Sequence, residues 1–227
     1  MKNIAVILLG GSSSRFEYKT AKQFFDINGK PVAFYAIKPF LESKYINEIV
    51  LVCRKEDISY YKELLKCEKK DIHYVIGGDS RSQSSKNALK YLQDSASDDD
   101  IVLIHDGARL FVSDNEIKSL IDALIDAEAA TLAISCEDSI ARIKDNEIIS
   151  YEDRNQLVRI QTPQAFRFKL IKKLVDESKD LSDDAQFALL QNEKLLFVNG
   201  NKKINKITTI EDIDYIIYSV EKENDWI

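Results

Sequence analysis

The first apolar run of the sequence ends in Leu9-Gly10-Gly11-Ser12-Ser13-Ser14-Arg15. Paired glycines let a backbone approach a ligand closely, and successive N–H groups in such a turn can cradle phosphate oxygens. Three serines add donors, and Arg15 adds a charge that stays on at any working pH. The spacing is neither G-x-G-x-x-G nor G-x-x-x-x-G-K-[ST], so neither a dinucleotide fingerprint nor a P-loop fits. Lys22, in Ala21-Lys22-Gln23-Phe24-Phe25, meets Arg15 on one polyanion if the loop folds back. Taken alone, each feature also reads as a tight turn and two solvated cations.

Two further segments hold chemistry-bearing groups at strand ends. Gly77-Gly78-Asp79-Ser80-Arg81-Ser82-Gln83-Ser84-Ser85 leads from an extended run into a helix. Backbone and hydroxyl donors at such a helix start suit the polar edge of a base, although Asp79 or Ser80 also serves as an ordinary cap. Ile101–His105 is a buried-strand pattern that ends in Asp106-Gly107-Ala108-Arg109. A carboxylate in that position can ligate Mg²⁺ or hold a ribose hydroxyl. Strand alternation turns His105 away from Asp106, into the core.

The elements that must position these loops are legible as short apolar runs. Ile4–Leu9, Glu48–Val52, Ile72–Ile76, Ile101–His105, Ala130–Cys136 and Leu195–Val198 suit buried strands. Ile117, Leu120, Ile121, Leu124 and Ile125 follow helical spacing, with Ser113 and Glu116 as a capping box; Thr208 with Glu211 repeats the signal before Ile213–Val220. Alternating strands and helices predict an α/β domain over residues 1–227: a Rossmann-like, open, mostly parallel twisted sheet flanked by helices. Ser139–Leu157 departs from the alternation and reads as a hairpin about Lys144-Asp145-Asn146-Glu147, an arm (136–158) projecting from the sheet.

Composition narrows the classes. A net charge of −6 argues against a nucleic-acid or membrane-surface binder, so cations meant for polyanions must cluster locally. No apolar run approaches the roughly 20 residues of a membrane span. Met1-Lys2-Asn3-Ile4 runs straight into a strand rather than a cleavable leader. Cys53, Cys67 and Cys136 form neither a disulfide framework nor a zinc pattern and read as reduced thiols, and His73 and His105 are too few for a His-rich metal site. The expected compartment is the cytoplasm.

Taken in order, LLGGSSSR, AKQF and NGKPV resemble the N-terminal signature of the sugar-phosphate nucleotidyltransferases. The chain is similar to the 2-C-methyl-D-erythritol 4-phosphate cytidylyltransferases and the related ribitol-5-phosphate cytidylyltransferases. Gly77–Ser85 resembles the base-selecting GG-D-x-R-x-x-S, and His105–Phe111 resembles H-D-[AG]-[AV]-R-P-F with Leu110 for the proline. Asp153–Leu157 and Gln161–Phe166 resemble D-R-x-x-L and Q-T-P-Q-x-F, with Val158 where an aromatic is usual. Ser182-Asp183-Asp184-Ala185 and Lys206–Asp212 resemble T-D-D-A and the C-terminal K-[IV]-T-x-P-E-D, with Ile204 and Ile210 as departures.

The resemblance implies an Mg²⁺-dependent enzyme joining CTP to a small polyol phosphate. Arg15, Lys22 and Lys206 would be catalytic. Leu9 to Ser14 with Gly78, Asp79, Ser84 and Asp106 would bind CTP, and Arg81 would brace the base loop. Asp106, Arg109, Ser139, Arg154, Thr162, Ser182 and Lys206 would bind the acceptor, with Arg154 reaching in from a partner subunit's arm in a homodimer. Asp106 is the candidate metal ligand, directly or through water. The chemistry agrees: a phosphate monoester is largely dianionic at neutral pH and needs positioning and positive charge rather than a general base. A ribitol phosphate acceptor, or a non-catalytic nucleotide-binding module on the same fold, are the alternatives.

Overall fold

The computed structural model describes residues 1–11, 21–209 and 211–222. Ser12, Ser13, Ser14, Arg15 and Ile210 lie outside the described residues. The parallel strands are β1 (Asn3–Leu8), β4 (Glu48–Cys53), β5 (Asp71–Ile76), β6 (Ile101–Asp106), β7 (Ala129–Ser135) and β11 (Leu195–Asn199). One strand that sequence reasoning missed, β10 (Val158–Arg167), runs antiparallel between β6 and β7. Its apolar run is broken by Gln161, Thr162, Pro163 and Gln164, and the register shifts between Ile160 and Gln164. A proline and a bulge of this kind hide a strand from any periodicity count. The seven-stranded order is β11-β7-β10-β6-β1-β4-β5.

Both faces are covered, as the strand composition demands. On β1, Ala5 and Ile7 pack with Ala33, Ile37 and Phe40 of helix α1 (Val32–Glu42) and with Ile117 and Leu120 of α4 (Asp114–Ala123). The alternate residues Ile4 and Val6 pack with Ala88, Leu89 and Leu92 of α3 (Arg81–Leu92) and with Phe168 and Ile171 of α5 (Phe168–Ile171). Each fully buried Leu, Ile or Phe contributes roughly 1.5–3 kcal/mol. The short helices α2 (Ile58–Leu64) and α6 (Gln186–Leu190) follow β4 and precede β11. A third cluster joins α1 to α7 (Glu211–Lys222) under a two-residue hairpin, β2 (Asp26–Ile27) with β3 (Lys30–Pro31).

Two expected helix ends are corrected. The α4 capping box forms as read, but α4 stops at Ala123 and Ile125 is 79% exposed. At the start of α7 it is Asp212, not Glu211, that reaches back. Its carboxylate accepts the amides of Thr208 and Thr209 at 2.7 and 2.9 Å and the Thr208 hydroxyl at 3.0 Å. The hairpin forms from β8 (Ala141–Lys144) and β9 (Glu147–Tyr151), with Asp145 and Asn146 at φ 49° and 67° in the turn. Asn and Asp tolerate these left-handed values, which match the twist of a tight hairpin.

From β1 the sheet grows to β4 and β5 on one side, while β6 lies on the other. Ligands of open α/β sheets sit at such a reversal, beyond the strands' carboxyl ends. Leu8 and Asp106 are paired in register at that point.

Candidate active site

Beyond Leu8 and Asp106 opens a cleft of about 690 Å³. Its walls are Gly10 and Gly11 after β1, Gly77 to Arg81 with Ser84, and Asp106 to Ala108; Lys22, Arg54, Lys55 and Lys206 line it too. Gly107 is required where the two strands meet. Its amide donates to the Leu8 carbonyl at 2.9 Å, and a Cβ there would stand 2.8 Å from that oxygen.

The base-loop candidates are held by their own hydroxyls. Ser80 caps α3 by accepting the Gln83 amide at 3.0 Å. The buried Ser84 hydroxyl accepts the Gly78 amide at 3.1 Å, which fixes Gly78 at the cleft, while Asp79 is exposed at the rim.

Lys22, Asp106 and Lys206 are distant in sequence and close in space for a backbone reason. Lys206 forms an antiparallel bridge with Arg109, and the Ile207 amide donates to the Ala108 carbonyl at 2.8 Å. The Lys206 segment is thereby zipped onto the loop after β6. Lys22 opens a short 3₁₀ turn, and its Nζ donates to the Ile207 carbonyl at 3.0 Å.

Asp106 is the electrostatic centre. Arg81 Nε donates to one carboxylate oxygen at 2.8 Å and Lys206 Nζ to the other at 2.8 Å; Arg109 Nε stands 3.9 Å away. Burial alone would raise its pKa, but Arg81 and then Lys206 outweigh burial and hold the carboxyl far below the usual range. Arg109 is anchored by the Ile204 carbonyl at 3.0 Å. Arg81 also pairs with the fully buried Asp184 at 2.8 Å.

His105 is wholly buried, as alternation requires. Its Nε2 lies 3.0 Å from the Arg109 carbonyl, which can only accept, so Nε2 carries the proton. Nδ1 then accepts from the Thr162 hydroxyl at 3.1 Å, and that oxygen accepts the Asp106 amide at 3.0 Å. Thr162 is therefore committed to holding the Asp106 loop and lies outside the cleft lining.

Three acceptor candidates stand apart from this cleft. Ser139 and Arg154 are exposed at the base of the arm, with the Arg154 guanidinium donating to the Glu137 carbonyl at 2.8 Å. Ser182 is exposed, and its hydroxyl accepts from Gln186 at 3.0 Å. A second cavity of about 330 Å³ adjoins the cleft through Lys206, and Arg109 and Arg159 also line it.

Among the described residues no cluster of three or more His, Cys, Asp or Glu is placed to hold a metal. The site does fit a hard cation carried in by a polyphosphate. Asp106 is ionised at the cleft wall, and a carboxylate offers about four lone-pair positions, of which Arg81 and Lys206 take two. Mg²⁺ is commonly held by one or two carboxylates plus substrate phosphates, without a protein cage.

The profile of the IspD family, 2-C-methyl-D-erythritol 4-phosphate cytidylyltransferase, matches residues 3–219. The chain belongs to this family. A cytidylyltransferase of that name from Clostridium perfringens is 39% identical over 220 residues, covering 93% of this chain and 96% of its own. The one from Thermosipho africanus is 37% identical over 214 residues, covering 92% and 94%. The crystal structure of 4-diphosphocytidyl-2C-methyl-D-erythritol synthase from Anaerococcus prevotii superposes with a TM-score of 0.84 at 31% identity, over 97% of this chain and 98% of that one. The bifunctional IspDF of Campylobacter jejuni gives a TM-score of 0.79 at 30% identity, over 94% of this chain and 54% of that one.

Around the cleft and its adjoining cavity, sequence reasoning passed over Asp184, Arg159 and the bridging role of Arg81. Asp184 was visible only as part of a motif. Arg159 had no signal beyond its charge, because β10 was not recognised as a strand.

Proposed function

We propose that the chain transfers the cytidylyl group of CTP to the phosphate of 2-C-methyl-D-erythritol 4-phosphate, releasing pyrophosphate, in isoprenoid precursor synthesis. The observation that carries this reading is the convergence of Lys22, Lys206 and Asp106 on one cleft at the reversal point of the sheet. Two polyanions must meet there, and that meeting is the barrier the site has to lower.

Gly78, Asp79 and Ser84 face the cytosine edge, and Gly10 and Gly11 offer backbone amides to the triphosphate. The acceptor occupies the adjoining cavity, its phosphate against Arg109, Arg159 and Lys206. One acceptor phosphate oxygen attacks the α-phosphorus in line. The new P–O bond forms as the bond to the bridging oxygen of the β-phosphate breaks, and that electron pair leaves on pyrophosphate. Lys22 and Lys206 offset the charge of the five-coordinate phosphorus, and Arg15 joins them by its place in the sequence motif. Mg²⁺, when bound beside Asp106, supplies further charge neutralisation on the triphosphate.

Arg154 and Ser139 lie on the arm, away from their own chain's cleft, which supports a homodimer in which each arm serves the other subunit. No described helix is long and apolar enough to cross a membrane. The reading takes the cytoplasm as the compartment, where reduced thiols such as the buried Cys53 persist.

Pyrophosphate release from CTP and Mg²⁺, with each acceptor offered separately, tests this. Turnover is expected with 2-C-methyl-D-erythritol 4-phosphate. Lys22→Ala is expected to lower kcat by roughly 10²–10³-fold, the usual scale for losing one preorganised donor to transition-state charge. Turnover with ribitol 5-phosphate instead would move the acceptor assignment, and CTP binding without turnover would favour a non-catalytic module.

A further inference from the structure

We propose that Asp184 is a positioning residue of the transfer reaction: through Arg81 it fixes the carboxylate of Asp106 at the cleft wall. The inference rests on the function proposed above and adds a residue that touches no substrate.

The geometry is a clamp. Arg81 presents two different edges of its guanidinium, Nε to Asp106 and Nη1 to Asp184, each at 2.8 Å. Asp106 borders the cleft, whereas Asp184 is completely buried behind it. The same Asp184 oxygen accepts the buried Ser85 hydroxyl at 3.2 Å, so the anchor is tied to α3 one turn beyond Arg81. Gln164 of β10 latches the segment from the other side. Its Nε2 donates to Asp183 at 2.8 Å, and its Oε1 accepts the Ala185 amide at 3.1 Å.

A buried carboxylate is costly unless it is paired, and here the described partners leave its second oxygen without a hydrogen bond. Packing alone would be served as well by a neutral residue. Burial pushes the Asp184 carboxyl up, and the Arg81 guanidinium at 2.8 Å opposes that rise; paired in this way, the carboxylate competes for an arginine that also faces the cleft. Arg81 is partly open to the cleft, and a guanidinium there is drawn to phosphate oxygens. Held on Asp184 it stays on Asp106. Released, it turns to the incoming triphosphate and leaves Asp106 to pivot on Lys206.

This predicts a split between kinetic constants in Asp184→Asn. The kcat falls at least about tenfold, while KM for CTP stays level or decreases, because the loss is in alignment rather than in nucleotide binding. In an Asp106→Asn background the same substitution costs less than about twofold, since residues acting through one another are not additive. Ser85→Ala, which deletes one hydrogen bond to Asp184 and no charge, shifts kcat the same way by about two- to fivefold, and it keeps the test available if Asp184→Asn folds poorly. A raised KM with unchanged kcat, or additive effects with Asp106→Asn, would overturn the proposal. If the wild type turns over neither acceptor, the functional reading fails by itself. The crystal structure of Asp184→Asn then decides: Arg81 turned away from Asp106 supports the clamp, and Arg81 still paired with Asp106 refutes it.

Discussion

At the scale of single residues, His105 shows how a buried ring sets up a site it never touches. It joins the Arg109 carbonyl to the Thr162 hydroxyl, which in turn receives the Asp106 amide. Burial, the largest influence, lowers its pKa from 6.5 to about 4. Both ring nitrogens are used in the neutral form, so protonation would break the Nδ1 contact. Between pH 6.5 and about 4 the unfolded chain binds a proton that the folded chain refuses, so stability is full above that window and falls as pH drops through it. From pH 7.5 to pH 5 the loss from this ring is about 2 kcal/mol. Urea denaturation of the wild type and of His105→Gln at both pH values isolates it. A pH slope unchanged by the substitution would refute the assignment. His105 was legible from strand alternation alone. The partnership of Arg81 with Asp184 was not, because nothing in spacing places residues so far apart in the sequence side by side.

At the scale of elements, the sequence was most legible where one face is apolar and an end is capped. Every parallel strand was expected within a residue or two of where it forms, and the turn of the arm was read from Lys144-Asp145-Asn146-Glu147. Legibility failed where tertiary pairing replaces pattern. β10 carries polar residues inward to serve Asp183, Thr131 and the Asp106 loop, so it lacks an apolar run. The start of α7 takes its carboxylate from Asp212 because the amides of both Thr208 and Thr209 converge there. The α4 box allows a graded prediction. Glu116 accepts the Ser113 amide at 2.7 Å, whereas the return bond from the Glu116 amide to the Ser113 hydroxyl is longer, at 3.4 Å. Glu116 also accepts from Asn201, at the head of the segment that delivers Lys206. Ser113→Ala is expected to cost about 0.5–1 kcal/mol. Glu116→Ala is expected to cost about 1–3 kcal/mol, since it also strips a partner from Asn201. Chemical denaturation of the two variants reads the order directly, and equal or reversed costs would show that the Asn201 link contributes nothing.

At the scale of the whole molecule, the cleft and its adjoining cavity draw on different parts of the chain. Everything expected to meet CTP among the described residues comes from loops at one end of one sheet. The arm is different. A lone two-stranded hairpin is marginal in water. This one also leaves Ile143 71%, Ile148 59%, Ile149 58% and Tyr151 71% exposed. Large apolar side chains exposed together on one hairpin mark a candidate interaction site. In the homodimer proposed above, a second copy would satisfy both needs at once: it would cover the hairpin and bring Arg154 and Ser139 to the other copy's acceptor cavity. Ile143 and Ile148 face each other across the two strands, so replacing both with Asp places like charges directly opposite in the covered patch. The double variant is expected to sediment as a monomer with its core intact. Its kcat with the acceptor should fall at least about tenfold, because Arg154, the cation proposed to reach the acceptor from the arm, leaves with the partner. Affinity for CTP should stay within about twofold, because that site lies within one chain. A variant that stays dimeric, or a monomer with full activity, would mean that the arm does not complete the site.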